Sequence, residues 1–134
     1  LLSAFETAKT HLKPGGLFFF DFWYGPAVLS EQPAVRVKRL ENNEIAVVRI
    51  AEPTLKPNEN VVEVHYTIFI TNKTRGSITC LEETHFMRYL FLPEIELLLA
   101  QAGLQIVAAG EWMTPNPASV GSWGVYVIAK NPER

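Results

Sequence analysis

The chain has a single cysteine, Cys80, in 134 residues. That excludes an internal disulfide framework and any cysteine-based zinc site. It has little charge (19%), with 12 basic residues against 14 acidic ones. This balance argues against a broad nucleic-acid-binding face. It lacks a long apolar run: the longest, 17–23, is interrupted by Asp21 and falls well short of the roughly 20 residues that cross a bilayer as a helix. No secretory leader, internal repeat, low-complexity tract or linker is visible. The expectation is a cytoplasmic protein acting on neither membrane nor nucleic acid. The chain opens on Leu1-Leu2 within an apolar pattern and without an initiator methionine, which reads as a piece of something longer. Apolar residues make up 48%, enough for one core and one domain over 1–134. A chain of this length buries somewhat under about 70% of its unfolded surface and needs no metal staple.

Leu1, Phe5, Ala8 and Leu12 recur at helical spacing, and the helix expected over 1–13 stops at Pro14-Gly15-Gly16. Ser3-x-x-Glu6 offers a capping box, while Leu1 and Leu2 fit the apolar stripe, so two starts are open. Leu17-Phe-Phe-Phe-Asp-Phe-Trp23 reads as a strand buried on both faces. The middle of the chain alternates with period two. Segments 35–40 and 45–51 flank a turn at Glu41-Asn-Asn-Glu44, and Pro53 and Pro57 bracket a loop. In 61–71, Val62, Val64, Tyr66, Ile68 and Ile70 share a face. A turn at 72–76 leads to a return strand over 77–90. Four antiparallel strands, with one face buried and one polar, are expected over 35–90. Pro93 opens a helix that runs to about 102 with the stripe Ile95, Leu98, Leu99 and Ala102, and Gly103 closes it. Strands over 104–112 and 123–130 end the chain.

The string Leu12-Lys-Pro-Gly-Gly-Leu-Phe-Phe-Phe-Asp21 is followed far downstream by Glu94-Ile-Glu-Leu-Leu-Leu-Ala-Gln-Ala-Gly103 and a final Trp-Gly-Val-Tyr-Val-Ile-Ala-Lys-Asn-Pro132. In that order they resemble the C-terminal half of a class I S-adenosylmethionine (SAM)-dependent methyltransferase. Glu63-Val-His-Tyr66 and His85, shortly before Pro93-Glu94, are similar to the branch of amino-sugar and glycine N-methyltransferase-like enzymes. The resemblance implies an α+β fragment of an α/β Rossmann-like fold. The last three strands of the doubly wound sheet would carry a four-strand antiparallel insertion. Its parts are 1–24 (helix and fifth strand), 35–90 (substrate-side insertion) and 93–130 (helix and closing hairpin). It also implies SAM as cofactor, an inserted sheet over the substrate pocket, and a homodimer or higher oligomer. The sequence departs from the family in having no Gly-rich loop after a first strand and no acidic residue ending a second. The cofactor-binding residues are therefore absent here. The chain alone is expected to be inactive and not to bind SAM.

The resemblance puts Asp21-Phe22-Trp23-Tyr24 at the carboxyl end of the fifth strand. There Trp23 and Tyr24 serve either as an aromatic wall for the substrate or as core. The insertion carries the other constellation. If the turn brings Thr71 opposite Ser77, Glu63 faces His85 and His65 faces Glu83, all on one side. An imidazole beside a carboxylate can act as general base toward an amine or hydroxyl. The alternatives are ordinary cross-strand ion pairs or, less readily, a metal site. His85 matches a histidine of the amino-sugar branch and is the candidate catalytic residue, with Glu63, His65, Glu83 and Arg88 toward the substrate. His11 caps a helix end. Cys80 reads as a packed thiol, and Trp112 and Trp123 as core. The expected function is methyl transfer from SAM to an amine or hydroxyl of a small molecule in the full-length parent. The alternative is a non-catalytic ligand-binding or dimerisation domain.

Overall fold

The computed structural model describes residues 1–132. Along the chain lie α1 (Leu2–His11), β1 (Leu17–Tyr24), α2 (Gly25–Glu31), β2 (Arg36–Glu41) and β3 (Ile45–Lys56). After a 3₁₀ turn at Pro57–Glu59 come β4 (Val61–Asn72), β5 (Ser77–Leu90), α3 (Leu92–Gln101), β6 (Gln105–Glu111) and β7 (Gly124–Lys130). They form two compact units, Leu1–Glu31 with Tyr89–Arg134, and Gln32–Arg88. The four antiparallel strands within 35–90 and the three strands outside it are present as expected.

In the first unit β1 runs antiparallel to β7, from Leu17 opposite Lys130 to Trp23 opposite Gly124, and β7 pairs with β6. The last two residues of β5 join the other edge of β1 in parallel, Tyr89 opposite Trp23 and Leu90 opposite Tyr24. α1 starts at Leu2 with no side-chain cap, and Ser3 lies inside it, its carbonyl accepting the Thr7 hydroxyl at 2.8 Å. The apolar start therefore prevails over the capping box. The helix ends one turn before the glycine pair. Gly15, at φ +77°, donates its N–H to the Asn131 carbonyl at 2.7 Å, and Gly16 donates to Lys13 at 2.9 Å. Asn131 ties three segments together: its side-chain oxygen accepts from Lys9 Nζ, and its amide donates to the carbonyls of Leu12 and Lys13 at 2.9 and 3.2 Å. These bonds satisfy carbonyls of the turn that follows α1.

The core joins Phe5 of α1 and Ile95 and Leu99 of α3 to Phe22, Leu104, Val125, Val127 and Ala129. It covers one face of the strands. On the other face of β1, Leu17 and Phe19 are 60% and 53% exposed, so this strand is not buried on both sides. Near-continuous apolarity does not distinguish a face that a neighbour covers from one that nothing described here covers. α2 is a helix that pattern reading misses, because Gly25-Pro26 reads as loop punctuation. Gly25 is required there: a Cβ would stand 2.4 Å from the Phe91 ring.

In the second unit β2, β3, β4 and β5 pair in sequence as antiparallel neighbours. The turn after β2 forms as expected, with Asn42 Oδ1 accepting from the amides of Glu44 and Ile45 at 2.9 and 2.8 Å. β3 runs straight through Pro53, where a loop was expected. β2 leaves β3 after Arg36 pairs with Ala51, so beyond that point β3 has a partner on one side only, and a missing N–H on the other breaks no ladder. The expected separation into one buried and one polar face does not hold. Val62 and Val64 are buried, but β2 is exposed throughout and β5 is exposed from Ser77 to Phe86. No helix among the described residues is long and apolar enough to cross a membrane.

Candidate functional site

The turn between β4 and β5 decides how the sheet of the second unit displays its polar residues. Asn72 Oδ1 accepts from the amides of Thr74 and Arg75 at 3.0 and 2.8 Å, and Gly76, at φ +68°, donates to the Asn72 carbonyl. Asn72 thereby becomes a paired strand residue, opposite Ser77. The register is one residue away from the expected pairing of Thr71 with Ser77. Glu63 faces Phe86, His65 faces Thr84, Tyr66 faces Glu83 and Val64 faces His85. A one-residue slip sends side chains to the other face. The expected four-residue cluster is corrected to two separate groups, Glu63 with His65 on one face and Glu83 with His85 on the other. The four-ligand metal alternative disappears with it: among the described residues no group of three or more His, Cys, Asp or Glu is placed to hold a metal.

The Glu83–His85 face is the better organised. Residues two apart on a strand share a side, and His85 Nε2 donates to Glu83 Oε2 at 3.1 Å. The two side chains remain 50% and 55% exposed. Tyr66 sets its ring edge-on to His85, with centroids 5.2 Å apart, and Arg49 of β3 lies 5.3 Å over the Tyr66 ring. An ionised carboxylate only accepts, so Glu83 keeps the imidazole proton on Nε2 and leaves the Nδ1 lone pair available. On the opposite face Glu63 is paired with Lys56, whose ammonium it holds above its ordinary range, chiefly by their hydrogen bond. Lys56 also lies 5.5 Å from the Phe86 ring centroid. His65 contacts the Thr84 hydroxyl at 3.3 Å, and Arg88 sits opposite Val61.

In the first unit, strand alternation separates Trp23 from Tyr24. Tyr24 packs on the core cluster and meets Phe22 edge-on at 6.5 Å, while Trp23 turns to the face that carries Leu17 and Phe19. The two do not form one wall. Trp23 instead meets Trp123, with centroids 5.7 Å apart and planes at 82°. Trp123 Nε1 donates to Glu31 at the end of α2, a partnership that no local sequence signal announced. Trp112, expected in the core, is 39% exposed and stands 5.7 Å from Phe19. Cys80, expected to be packed, is exposed on β5. His11 is at the helix end as expected, bonded to the Thr7 carbonyl at 2.8 Å. Tyr89 is fully buried, its hydroxyl has no hydrogen-bond partner among the described residues, and burial pushes its phenol above the usual range.

The Gly15-Gly16 pair does not make a cofactor cradle. Gly15 and Gly16 close a turn with their own amides, and a Cβ at Gly16 would meet the Lys13 carbonyl at 2.8 Å. That space is taken by backbone.

No protein-family model matches the chain, and no curated protein matches it in sequence. Solved structures do match its fold. A SAM-dependent methyltransferase from Clostridium acetobutylicum superposes with TM-score 0.79 at 19% identity, over 98% of this chain and 50% of the other. A sugar N-methyltransferase from Streptoalloteichus gives 0.74 at 17% identity, over 98% and 49%. An amino pentose methyltransferase from Micromonospora echinaspora, solved with SAM bound, gives 0.71 at 18%, over 97% and 50%. The chain thus has the fold of about half of a SAM-dependent methyltransferase, and it spans about half the length of the structures it matches. This agrees with the C-terminal half that the sequence resembles.

Proposed function

We propose that this chain is the substrate-side half of an enzyme that methylates an amine or hydroxyl of a small polar molecule, with SAM as methyl donor. His85 is the general base, positioned by Glu83. The observation that carries the reading is the 3.1 Å hydrogen bond from His85 to Glu83. It appears on the inserted sheet of a fold shared with half of several methyltransferases. The described residues offer no glycine-rich loop for SAM, so the cofactor is assigned to the complementary half of the fold. What this chain contributes is alignment of the nucleophile and removal of its proton at His85 Nδ1. The exposed lone thiol of Cys80 fits a reducing compartment such as the cytoplasm.

The test is transfer of a labelled methyl group from SAM to a panel of small amines and alcohols by the full-length enzyme. A methylated amine or alcohol is the expected product. A panel left unlabelled while SAM binds tightly overturns the reading and leaves a ligand-binding domain.

The same sheet favours self-association. Among the described residues the outer edge of β5 has no strand partner from Ser77 to Phe86, and Ile78 and Phe86 are 67% and 65% exposed. An open, partly apolar edge is a template for pairing. A homodimer or higher oligomer is expected by light scattering across a dilution series. A strictly monomeric species at about tens of micromolar contradicts it.

A further inference from the structure

We propose that the carboxyl end of β1 holds a binding subsite for an organic cation, an alkylammonium group, walled by Trp23 and Trp123 and neutralised by Glu31. Three features there favour positive charge, and none of the described ion pairs involves them. The first is aromatic. The perpendicular packing of Trp23 and Trp123 places two half-buried indoles at one spot, 5.7 Å between centroids. Indole faces attract cations, most strongly when the cation sheds little hydration, as an alkylammonium does.

The second feature is the Glu31 carboxylate. Its Oε2 accepts from Trp123 Nε1, which fixes the group at the edge of the ring. The described ion pairs involve Lys56, Lys73 and His85, and none reaches Glu31. Glu31 also ends α2, whose last turn holds no basic residue. Helix carbonyl ends favour cations, so a carboxylate there adds negative charge to a place that already carries it. The third is Asp21, exposed on β1 two residues before Trp23 and therefore on the same face. A metal ion is a poorer occupant than an organic cation, since among the described residues no cluster of ligating residues surrounds the spot.

The wall is fixed before any ligand arrives. Ser30 Oγ donates to the Val120 carbonyl at 3.1 Å, joining the end of α2 to the loop that carries Trp123. Ser122, only 1% exposed, donates to Glu111 Oε1 at 3.0 Å and accepts the Ser119 amide at 3.0 Å. Hydrogen bonds from Ser122, Thr114 and Asn116 hold the Glu111 carboxyl below its ordinary range. A side chain already held in its bound position spends less entropy on binding.

The subsite stands on this geometry alone and takes an alkylammonium group whether or not the methyl-transfer reading holds. The binding is testable on this chain alone. The three tryptophans give three indole Nε1–H signals in a ¹H–¹⁵N spectrum, assigned with single Trp→Phe variants. The probe is tetramethylammonium chloride, compared with sodium chloride at equal ionic strength and with tert-butanol as a neutral shape match. The expected result is a saturable shift of the Trp123 and Trp23 signals, with Trp112 unmoved. Glu31→Gln keeps an acceptor for the indole N–H and is expected to weaken binding by about tenfold. Indole signals that never saturate, a Glu31→Gln affinity equal to wild type, or equal binding of tert-butanol each overturn the subsite. The tert-butanol comparison needs no variant and stands if Glu31→Gln fails to fold. Saturable cation binding in an enzyme that methylates nothing keeps the subsite and removes only the functional reading.

Discussion

His85→Asn is expected to lower kcat/KM of the full-length enzyme by about 10²–10⁴-fold, the usual worth of a positioned acid or base. Asparagine keeps a polar group of similar size but has no nitrogen lone pair that takes a proton. The direction of the Glu83 bond sharpens the test. Glu83→Gln no longer obliges the proton to sit on Nε2, because an amide both donates and accepts. A fraction of the imidazoles then present Nε2 as the lone pair, facing the new amide instead of the substrate. The expected loss for Glu83→Gln is about tenfold. A merely structural dyad changes stability and leaves kcat/KM in place. His11→Asn, at the end of α1 with its ring on the Thr7 carbonyl, serves as the histidine control. If His85→Asn turns over within about twofold of wild type, His85 is not the base.

The periodicity of the sequence was informative where one strong pattern met one strong breaker. The apolar spacing of α3 and the glycine pair after Pro14 reappear in the structure, whereas the alternation of β4 shows in burial only at Val62 and Val64. Register was harder to read. Whether Asn72 belongs to the turn or to the strand depends on its side chain bonding two amides while its backbone stays paired with Ser77. Nothing in the alternation of 61–71 encodes that choice, yet it moves Glu83 and His85 to the opposite side from Glu63 and His65. His85 keeps a carboxylate partner because Glu83 is two residues away on its own strand. That proximity follows from the strand period and is independent of register. The Glu31–Trp123 contact joins residues 92 positions apart, across an unanticipated helix, and no local pattern points to it.

Leu99→Ala is expected to destabilise the first unit by about 2–5 kcal/mol, the range for removing a buried leucine from a packed core. Leu97→Ala, two residues away on the same helix, is expected to change stability by no more than about 0.5 kcal/mol. Composition and helix propensity are nearly the same for the two variants, so the difference isolates burial. Leu99 is 0% exposed and packs with Phe5, Ile95 and Val127 in the core cluster, whereas Leu97 is 61% exposed. With two compact units in the chain, a single unfolding free energy is not a safe readout, since the units need not open together. Hydrogen exchange of the Val125 and Val127 amides reports on the affected unit directly, because β7 is the strand that joins β1 to β6. The loss of protection in Leu99→Ala should appear there, with β3 and β4 amides as the internal comparison. A small domain is stable by only about 5–15 kcal/mol, so this substitution removes a large share of what holds the unit together. Protection in β7 that is equal for the two variants contradicts the assignment of Leu99 to the core.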